Sequence, residues 1–307
     1  MKLAAIDVGS NAVRLLLSRV IDEGDNAGEP IFKKESLIRI PIRLGDDVFT
    51  HRHIPEEKID HLVETMIAFR HLIRAYDAVD FAACATSAMR EAANGHEVVA
   101  RIRDASGIEL DIVDGRREAE IIVTNSRSYR KLNSYPAYLH IDVGGGSTEM
   151  TVFTEQGTVD ERSFNIGTIR ILNELVSPDQ WKEMKKWLKS LGDNRKSMAG
   201  IGSGGNINKI FRLSRRKEGQ PLTLKQLKNI NETLAGLSVD DRIRVVGLRP
   251  DRADVIVPAA EIFISIMKWA NIKQLYVPQV GLADGLVQIL YRNQLDSRKD
   301  TGNVGAA

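Results

Sequence analysis

The segment HIDVGGGSTEM, residues 140–150, is the stretch from which the fold can be predicted. It ends an apolar run with a carboxylate, Asp142, and continues with three glycines, two hydroxyls and a second carboxylate, Glu149. A strand that turns through glycine exposes backbone N–H groups that can surround an anion, because glycine permits positive φ and the close approach of a phosphate oxygen. The segment therefore predicts a buried strand that ends in an anion-binding turn.

The tetrapeptide IDVG occurs twice in the chain, at residues 6–9 and 141–144, and polar residues follow both copies. Its two aspartates are 142 − 7 = 135 residues apart, which fits one copy per domain. A chain of 307 residues is long for a single core and fits two domains of roughly 150 residues each. We therefore predict a duplicated architecture, with one domain over residues 1–124 and a second over residues 125–307.

Hydrophobic periodicity predicts a similar order of elements in the two halves. In the first half we expect strands at residues 2–8, 13–20, 31–43, 80–85 and 109–113, and helices at 56–76 and 95–106. In the second half we expect strands at residues 137–143, 149–154, 158–164 and 198–201, with helices around the last of them. Each half begins with a strand, a polar turn and two further strands, which indicates a mixed α/β fold.

The composition excludes several classes of protein. Lys plus Arg (43) nearly cancel Asp plus Glu (41), so the formal charge of +2 gives no global reason to expect a nucleic-acid or membrane partner. Cys84 is the only cysteine, which excludes an intramolecular disulfide and a cysteine-rich zinc site. Because no apolar run reaches the roughly 18 residues of a membrane span, we expect a cytoplasmic protein.

Hard oxygen ligands stand beside both glycine turns. Asp7, Asp142 and Glu149 are carboxylates of the kind that Mg²⁺ prefers when it bridges protein and phosphate. One such turn alone could be a tight hairpin whose acids face water, but two matched copies favour a phosphate site with Mg²⁺. The expected phosphate ligands are Gly9, Ser10, Asn11, Gly144, Gly145, Gly146, Ser147 and Thr148.

The chain resembles the exopolyphosphatase and guanosine pentaphosphate phosphohydrolase (Ppx/GppA) family over nearly its whole length. The resemblance lies in the segments AAIDVGSNAVRLLL, ATSAMREAANG, DGRREAEIIV, YLHIDVGGGSTEM, GIGSGGNINKI and VGLRPDRADVIVPAAEIF. It implies a two-domain actin-like fold (the ASKHA, ribonuclease H-like superfamily) with the active site in the cleft between the domains. Since the chain has no long helical and HD-like extension after about residue 300, it resembles the short, two-domain class of the family.

The same resemblance implies a catalytic base. In the family the Glu before Ala in DGRREAEIIV is the base, which implies this role for Glu118. A carboxylate there could deprotonate a water for in-line attack on a terminal phosphorus. Spacing alone leaves a second reading open, in which Glu118 and Glu120, flanked by Arg116 and Arg117, form a solvated start of a helix. Arg117 also replaces a second Glu that many family members carry.

The segment ATSAMREAANG resembles the family's phosphate-contacting strand, turn and helix. The resemblance implies that Arg90 binds phosphate, for which the planar guanidinium offers two donors at once. The alternative for Arg90 is a surface ion pair with Glu91 or Glu97.

Two further features follow residue 200. The segment GIGSGGN resembles the family's third glycine loop and implies substrate contacts at Gly204, Gly205 and Asn206, with simple helix capping as the alternative. The second feature is a run of cations that is either a solvated helix face or a positive track for a phosphate chain. The cations of this run are Lys209, Arg212, Arg215, Arg216 and Lys217.

Taken with the resemblance, these residues predict a Mg²⁺-dependent exopolyphosphatase that releases the terminal phosphate of inorganic polyphosphate. A phosphohydrolase that converts pppGpp is the alternative, because the reacting end is chemically alike. An alternative of another class is a nucleotide-binding sensor or scaffold of the actin and Hsp70 kind, against which Glu118 argues. The partners we consider are inorganic polyphosphate or pppGpp and a second copy of the chain in a homodimer, with no nucleic acid and no membrane.

Overall fold

The computed structural model describes residues 1–22, 29–124, 135–154, 157–194 and 198–303, and these ranges form two sheets with surrounding helices. The first sheet contains β1 (Lys2–Val8), β2 (Val13–Ile21), β3 (Ile31–Ile40), β4 (Asp80–Ala85) and β5 (Asp111–Ile112). The second sheet contains β6 (Ala137–Val143), β7 (Thr148–Thr154), β8 (Gly157–Phe164), β9 (Met198–Ser203), β10 (Leu222–Thr223) and β11 (Gln274–Tyr276).

The helices of the first half of the chain are α1 (Leu44–His51), α2 (Glu56–Ala75), α3 (Ser87–Glu91), α4 (Gly95–Ser106) and α5 (Gly115–Thr124). Those of the second half are α6 (Thr168–Leu172), α7 (Pro178–Asn194), α8 (Gly205–Leu213), α9 (Leu224–Ala235), α10 (Val239–Arg244), α11 (Pro250–Ala253), α12 (Ile256–Trp269) and α13 (Leu282–Asn303). Within the described ranges, none of these helices combines the length and apolar character needed to cross a membrane.

The two sheets repeat one topology. The first has the strand order β3-β2-β1-β4-β5, and the second, written in the corresponding direction, has β8-β7-β6-β9-β11-β10. In each, three consecutive strands pair antiparallel, and a later strand then pairs parallel with the first of the three. The predicted mixed α/β class and the duplicated architecture are confirmed by this repeat.

The IDVG segments form the ends of the two equivalent central strands, β1 and β6. Both strands are buried along nearly their whole length, which explains their continuous apolar sequence. Asp7 is paired across the sheet with Arg14 and Cys84, and Asp142 with Glu149 and Ser203. The repeated aspartates therefore occupy corresponding positions, one residue before the end of each central strand.

Each face of the first sheet has its own apolar layer. One face packs against α2 and α4 through residues such as Leu62 and Ile102. The other face carries Leu3 and Leu16, which pack against Leu286 of α13 from the far end of the chain. The predicted division between residues 124 and 125 borders residues 125–134, which lie outside the described residues, so that boundary stays a prediction.

The second sheet packs on α7, α8, α9 and α12. Helix α12 is buried at nine of its fourteen positions, because it lies in the middle of this layer.

The predicted limits of two strands in the first sheet are wrong. The strand expected to end at residue 43 ends at Ile40, since Arg43 adopts a left-handed φ of 55° before α1. The strand expected at 109–113 is only Asp111–Ile112, where the chain lies beside the edge of β4.

Candidate active site

A pocket lies where the two central strands end. It is bordered by the turn after β1, the turn after β6, the start of α5 and the turn between β9 and α8. Twelve of the residues expected at a site line this pocket, so the fold brings together segments up to 205 − 7 = 198 residues apart in sequence. They are Asp7, Gly9, Ser10, Asn11, Glu118, Asp142, Gly144, Gly145, Ser147, Glu149, Gly204 and Gly205. Asn206 lines it as well.

The two glycine turns have the same backbone hydrogen bond and face each other. The amide of Gly9 donates to the Ala12 carbonyl at 3.1 Å, and that of Gly144 donates to the Ser147 carbonyl at 2.9 Å. A Cβ on Gly145 would lie 3.0 Å from the Cβ of Ser10, so glycine is needed for this close approach. The pocket is therefore closed on one side by two turns in contact.

Four carboxylates from both halves of the chain line the pocket. Burial raises the pKa of Glu118 well above its ordinary value, and the neighbouring charges of Glu149 and Asp142 add to this. Burial also raises the pKa of Asp142 to about 6 and that of Glu149 to about 7. Asp7 is the fourth carboxylate. Burial and mutual repulsion thus make it costly for all of these side chains to be ionised at once.

The hydrogen bonds of these carboxylates differ. Glu149 accepts from the hydroxyl of Ser147 at 2.5 Å and from that of Ser163 at 3.1 Å. Asp7 accepts from Arg14 Nη1 at 2.6 Å. By contrast, Oε2 of Glu118 is buried and has no hydrogen-bond partner among the described residues. A buried unpaired acceptor is costly, so this oxygen is available to a ligand or a water.

The donor set of the pocket fits Mg²⁺ bound together with phosphate. In the described part of the chain, no three or more His, Cys, Asp or Glu side chains form a preformed metal cluster. Mg²⁺ does not require one, since it keeps several waters and is usually held through one or two carboxylates plus substrate phosphates. The carboxylates of Asp7, Asp142 and Glu149 supply such oxygens, and a cation would relieve their mutual repulsion.

An arginine group, Arg14, Arg39 and Arg252, lines the same pocket. Arg39 forms an ion pair with Asp251, and both side chains are nearly fully buried. Burial, together with the charges of Arg39 and Arg14, lowers the pKa of Arg252 to about 10. Three guanidinium groups held this close repel one another, so an anion between them would be stabilised.

The arginine group was not predicted from the sequence. Arg14 is the one charged residue in the apolar run AVRLLL, and Arg252 lies in the family-like segment VGLRPDRADVIVPAAEIF. A charge inside a buried strand is the signal that could have indicated Arg14, because such a residue is rarely buried without a partner. The sequence around Arg39 and Arg252 has no such signal, since their place in the pocket depends on contacts between distant segments.

Three expected ligands lie off the pocket lining. Arg90 donates from Nη1 to the Val113 carbonyl at 2.6 Å, and Thr148 donates from Oγ1 to the Ile166 carbonyl at 2.6 Å. Gly146 packs under the ring of Phe49, where any Cβ would collide. The contacts of these residues hold the segments around the pocket together.

Arg170 of α6 was also missed by sequence reasoning, and it links the second glycine turn to the first half of the chain. Its Nε donates to the Gly146 carbonyl at 2.7 Å, and its Nη2 lies 2.5 Å from both carboxylate oxygens of Glu91. The guanidinium also lies over the ring of Phe49, 4.1 Å from its centroid. One side chain therefore joins α1, α3, α6 and the turn after β6.

A model of the Ppx/GppA phosphatase family matches residues 37–293. The chain belongs to this family. Exopolyphosphatase 1 of Mycobacterium tuberculosis is 26% identical over 320 residues, covering 98% of this chain and 90% of that protein. The bifunctional 3-dehydroquinate synthase/phosphatase of Fusobacterium nucleatum is 28% identical over 288 residues, and the match spans 87% of this chain but only 43% of that protein.

Solved structures of Ppx/GppA proteins share the fold. An exopolyphosphatase from Cytophaga hutchinsonii superposes with a TM-score of 0.81 at 21% identity, covering 95% of this chain and 98% of that one. A Ppx/GppA family member from Aquifex aeolicus gives 0.74 at 23% identity, covering 95% and 99%. These structures confirm the predicted α/β fold, and the family model confirms the predicted family.

Proposed function

We propose that this protein is a Mg²⁺-dependent exopolyphosphatase, which hydrolyses the terminal phosphoanhydride bond of inorganic polyphosphate. The observation that carries the proposal is the unpaired Oε2 of Glu118, which lies in one pocket with two glycine turns and the arginine group. Membership of the Ppx/GppA phosphatase family supports it, as do relatives named exopolyphosphatase.

The phosphates are bound by donors on two sides of the pocket. Backbone N–H groups of residues 10–11 and 145–147 bind oxygens of the terminal phosphate, since the amides of Gly9 and Gly144 already donate within their own turns. The arginine group binds phosphates further along the chain, since guanidinium forks match phosphate oxygens and neutralise their charge. Held in this way, the terminal phosphorus is fixed for in-line attack.

Glu118 accepts the proton of the attacking water. Its raised pKa makes the carboxylate a stronger base than an exposed glutamate once it is ionised. The water oxygen forms a bond to the terminal phosphorus, the bridging P–O bond breaks, and the electron pair leaves with the shortened chain. Orthophosphate and a polyphosphate shorter by one unit are the products.

Asp7, Asp142 and Glu149 are the residues that would hold Mg²⁺, directly or through water. When bound, the ion supplies positive charge that neutralises phosphate oxygens. For Arg90, Gly146 and Thr148 we propose a positioning role in place of the direct substrate contact that the family resemblance implies. Their side chains or backbone bond to segments next to the pocket.

The test is phosphate release from tripolyphosphate, long-chain polyphosphate and pppGpp, each with Mg²⁺ and with a chelator. We expect Mg²⁺-dependent release from both polyphosphates. Faster turnover of pppGpp than of either polyphosphate would favour the pppGpp phosphohydrolase instead. Binding of nucleotide without turnover of any substrate would favour the sensor or scaffold and overturn the proposal.

A further inference from the structure

Helix α8 leads from the pocket to the surface. Its first residue, Gly205, lines the pocket, and a Cβ there would lie 2.7 Å from Nη2 of Arg252. One face of α8 is buried in the second core, whereas Lys209 is half-buried and Arg212 is exposed. Arg212 stands seven residues after Gly205, which is about 10 Å along the helix axis. The helix therefore starts beside Arg252 of the arginine group and carries two cations, Lys209 and Arg212, after that start.

Arg212 contacts the segment that leads to the pocket lining at Gly281. Its Nε donates to Oε1 of Gln279 at 3.1 Å, and Lys34 Nζ donates to the Gln279 carbonyl at 3.0 Å. Gln279 is two residues before Gly281, which lines the pocket. A chain that leaves the pocket past Gly281 would thus meet Arg212.

Lys34 on this path is paired with Asp284, but the cations at residues 209, 212 and 215 are in no ion pair among the described residues. Arg19 and Arg101, by contrast, are both paired with glutamates. Because the whole chain carries a formal charge of only +2, three unpaired cations in a row make a local positive field rather than part of a general one. Such a row matches a polyanion with a charge on every unit.

We propose that Lys209, Arg212 and Arg215 form a basic track that binds the distal phosphates of a polyphosphate whose terminal phosphate lies in the pocket. This inference rests on the proposed function and adds a second part to the substrate site. The track contributes to the binding of long chains only, because a chain of three phosphates is bound within the pocket.

The experiment compares two variants with the same loss of charge. The track variant carries Lys209→Ser, Arg212→Ser and Arg215→Asn, with Asn at 215 because that residue has a φ of 55°. The control variant carries Lys185→Ser, Lys228→Ser and Lys268→Ser. Lys228 and Lys268 line a separate groove beside Trp181 and Trp269, and Lys185 lies over the Trp269 ring. Like the track, this set has one half-buried and two exposed residues.

For long-chain polyphosphate we expect the KM of the track variant to rise about tenfold. The slope of log affinity against log salt should flatten by about 2, because three fewer counterions are exchanged on binding. For tripolyphosphate its kcat/KM should stay within about twofold of wild type. The control variant should behave as wild type on both substrates. An equal loss on tripolyphosphate, an equal loss in the control, or an unchanged KM for long chains would each refute the track.

Equilibrium binding of long-chain polyphosphate without Mg²⁺ separates this inference from the proposed function. If the wild type binds long chains and releases no phosphate from tripolyphosphate, the proposed function fails while the binding comparison still tests the track. If the wild type hydrolyses tripolyphosphate and the two variants bind long chains equally, the track fails while the proposed function stands.

Discussion

At the scale of single residues, the pocket combines acids that share one buried space but differ in their partners. Glu149 and Asp7 are tied by hydrogen bonds to neighbouring side chains, whereas Glu118 keeps one oxygen free. A tied carboxylate is fixed in orientation, which suits a cation ligand, while a free oxygen can accept a proton. The hydrogen bonds thus support different roles for residues of similar chemistry.

Replacing Glu118 with Gln is expected to lower the rate of phosphate release by roughly 100-fold or more, the usual scale for a positioned general base. The amide keeps the shape of the side chain but accepts no proton, so substrate binding should be retained. Glu120→Gln is the matched control, because Glu120 is on the same helix and pairs with Arg116 and Arg117 at the surface. Wild-type turnover of the Glu118 variant in a phosphate-release assay would show that another group is the base.

Asp142→Ala is expected to abolish Mg²⁺-dependent activity, because the neutral donors around this strand end cannot replace a carboxylate ligand. Titration of the variant with Mg²⁺ is the measurement. Asp179→Ala serves as a control, since Asp179 is an exposed acid paired with Lys182 on α7. Near-normal activity of the Asp142 variant at ordinary Mg²⁺ would move the metal site elsewhere.

At the scale of elements, short helices and strand edges are held in place by charged side chains that cross between them. Arg170 connects three helices to one glycine turn, and the Glu91 that it contacts also accepts from Arg52 at 3.3 Å. The two arginines differ in exposure: the Arg170 side chain is 11% exposed and that of Arg52 is 68% exposed. This difference gives a direct test of what the buried contact contributes.

Arg170→Met is expected to lower the free energy of unfolding by about 3 kcal/mol, since it removes one partner of a largely buried ion pair. Arg52→Met, which removes an exposed partner of the same carboxylate, should cost less than about 1 kcal/mol. Urea unfolding of both variants provides the comparison. Equal costs would mean that the Arg170 contact is no stronger than a surface pair.

Glu35 of β3 bonds to Tyr76 at the end of α2, and this contact should make the stability of the protein sensitive to acid. Hydrogen bonds from Arg19 and then Tyr76 lower the pKa of Glu35 to about 2, below its ordinary value of 4.5. Because the folded pKa is the lower one, the stabilisation is present above about pH 4.5 and is lost as the pH falls toward 2.

We therefore expect Glu35→Gln to destabilise the protein at pH 7 and to flatten the loss of stability between pH 4.5 and pH 2. Denaturant unfolding at several pH values measures both effects. Glu57→Gln, an exposed acid in the first turn of α2, is the control. The same acid slope in wild type and in the Glu35 variant would contradict this assignment.

The sequence predicted the central elements well and the small or contact-dependent ones poorly. Strands such as β1 and β6 were predictable because burial on both faces requires a continuous apolar run. Strand β5 was predicted too long, at 109–113, and the two residues of β10 are too few for a period of two to be recognised. Asp7, Asp142 and Glu149 could be named as candidates because they stand beside glycine turns, and Glu118 because of the family resemblance. The contacts of Arg39, Arg252 and Arg170 depend instead on partners far away in sequence.

At the scale of the whole molecule, each sheet is completed in part by a helix from the other half of the chain. The second sheet packs on helices of its own half and is also contacted by α5, while one face of the first sheet is covered by α13. A polypeptide of residues 1–124 would therefore expose the apolar side chains that pack on α13. The exposed set includes Leu3, Ala5, Leu16 and Val20.

We expect residues 1–124 expressed alone to be insoluble or molten, because this buried face would be exposed to water. Joining residues 282–303 to this segment through a flexible linker should restore solubility, and a linker with the apolar residues of α13 replaced by Ser should not. Soluble yield and urea unfolding are the measurements. A soluble, cooperatively folding 1–124 would show that the first sheet is stable without α13.

This packing has a consequence for the order of events during synthesis. The first residue of α13 follows the last residue of α5 by 282 − 124 = 158 residues. A ribosome needs roughly 8–30 s to synthesise this length of chain. Throughout that interval the earliest strands have left the exit tunnel while the helix that covers them has not yet been made. We therefore expect the nascent chain to bind chaperones that recognise apolar surfaces until α13 has been synthesised.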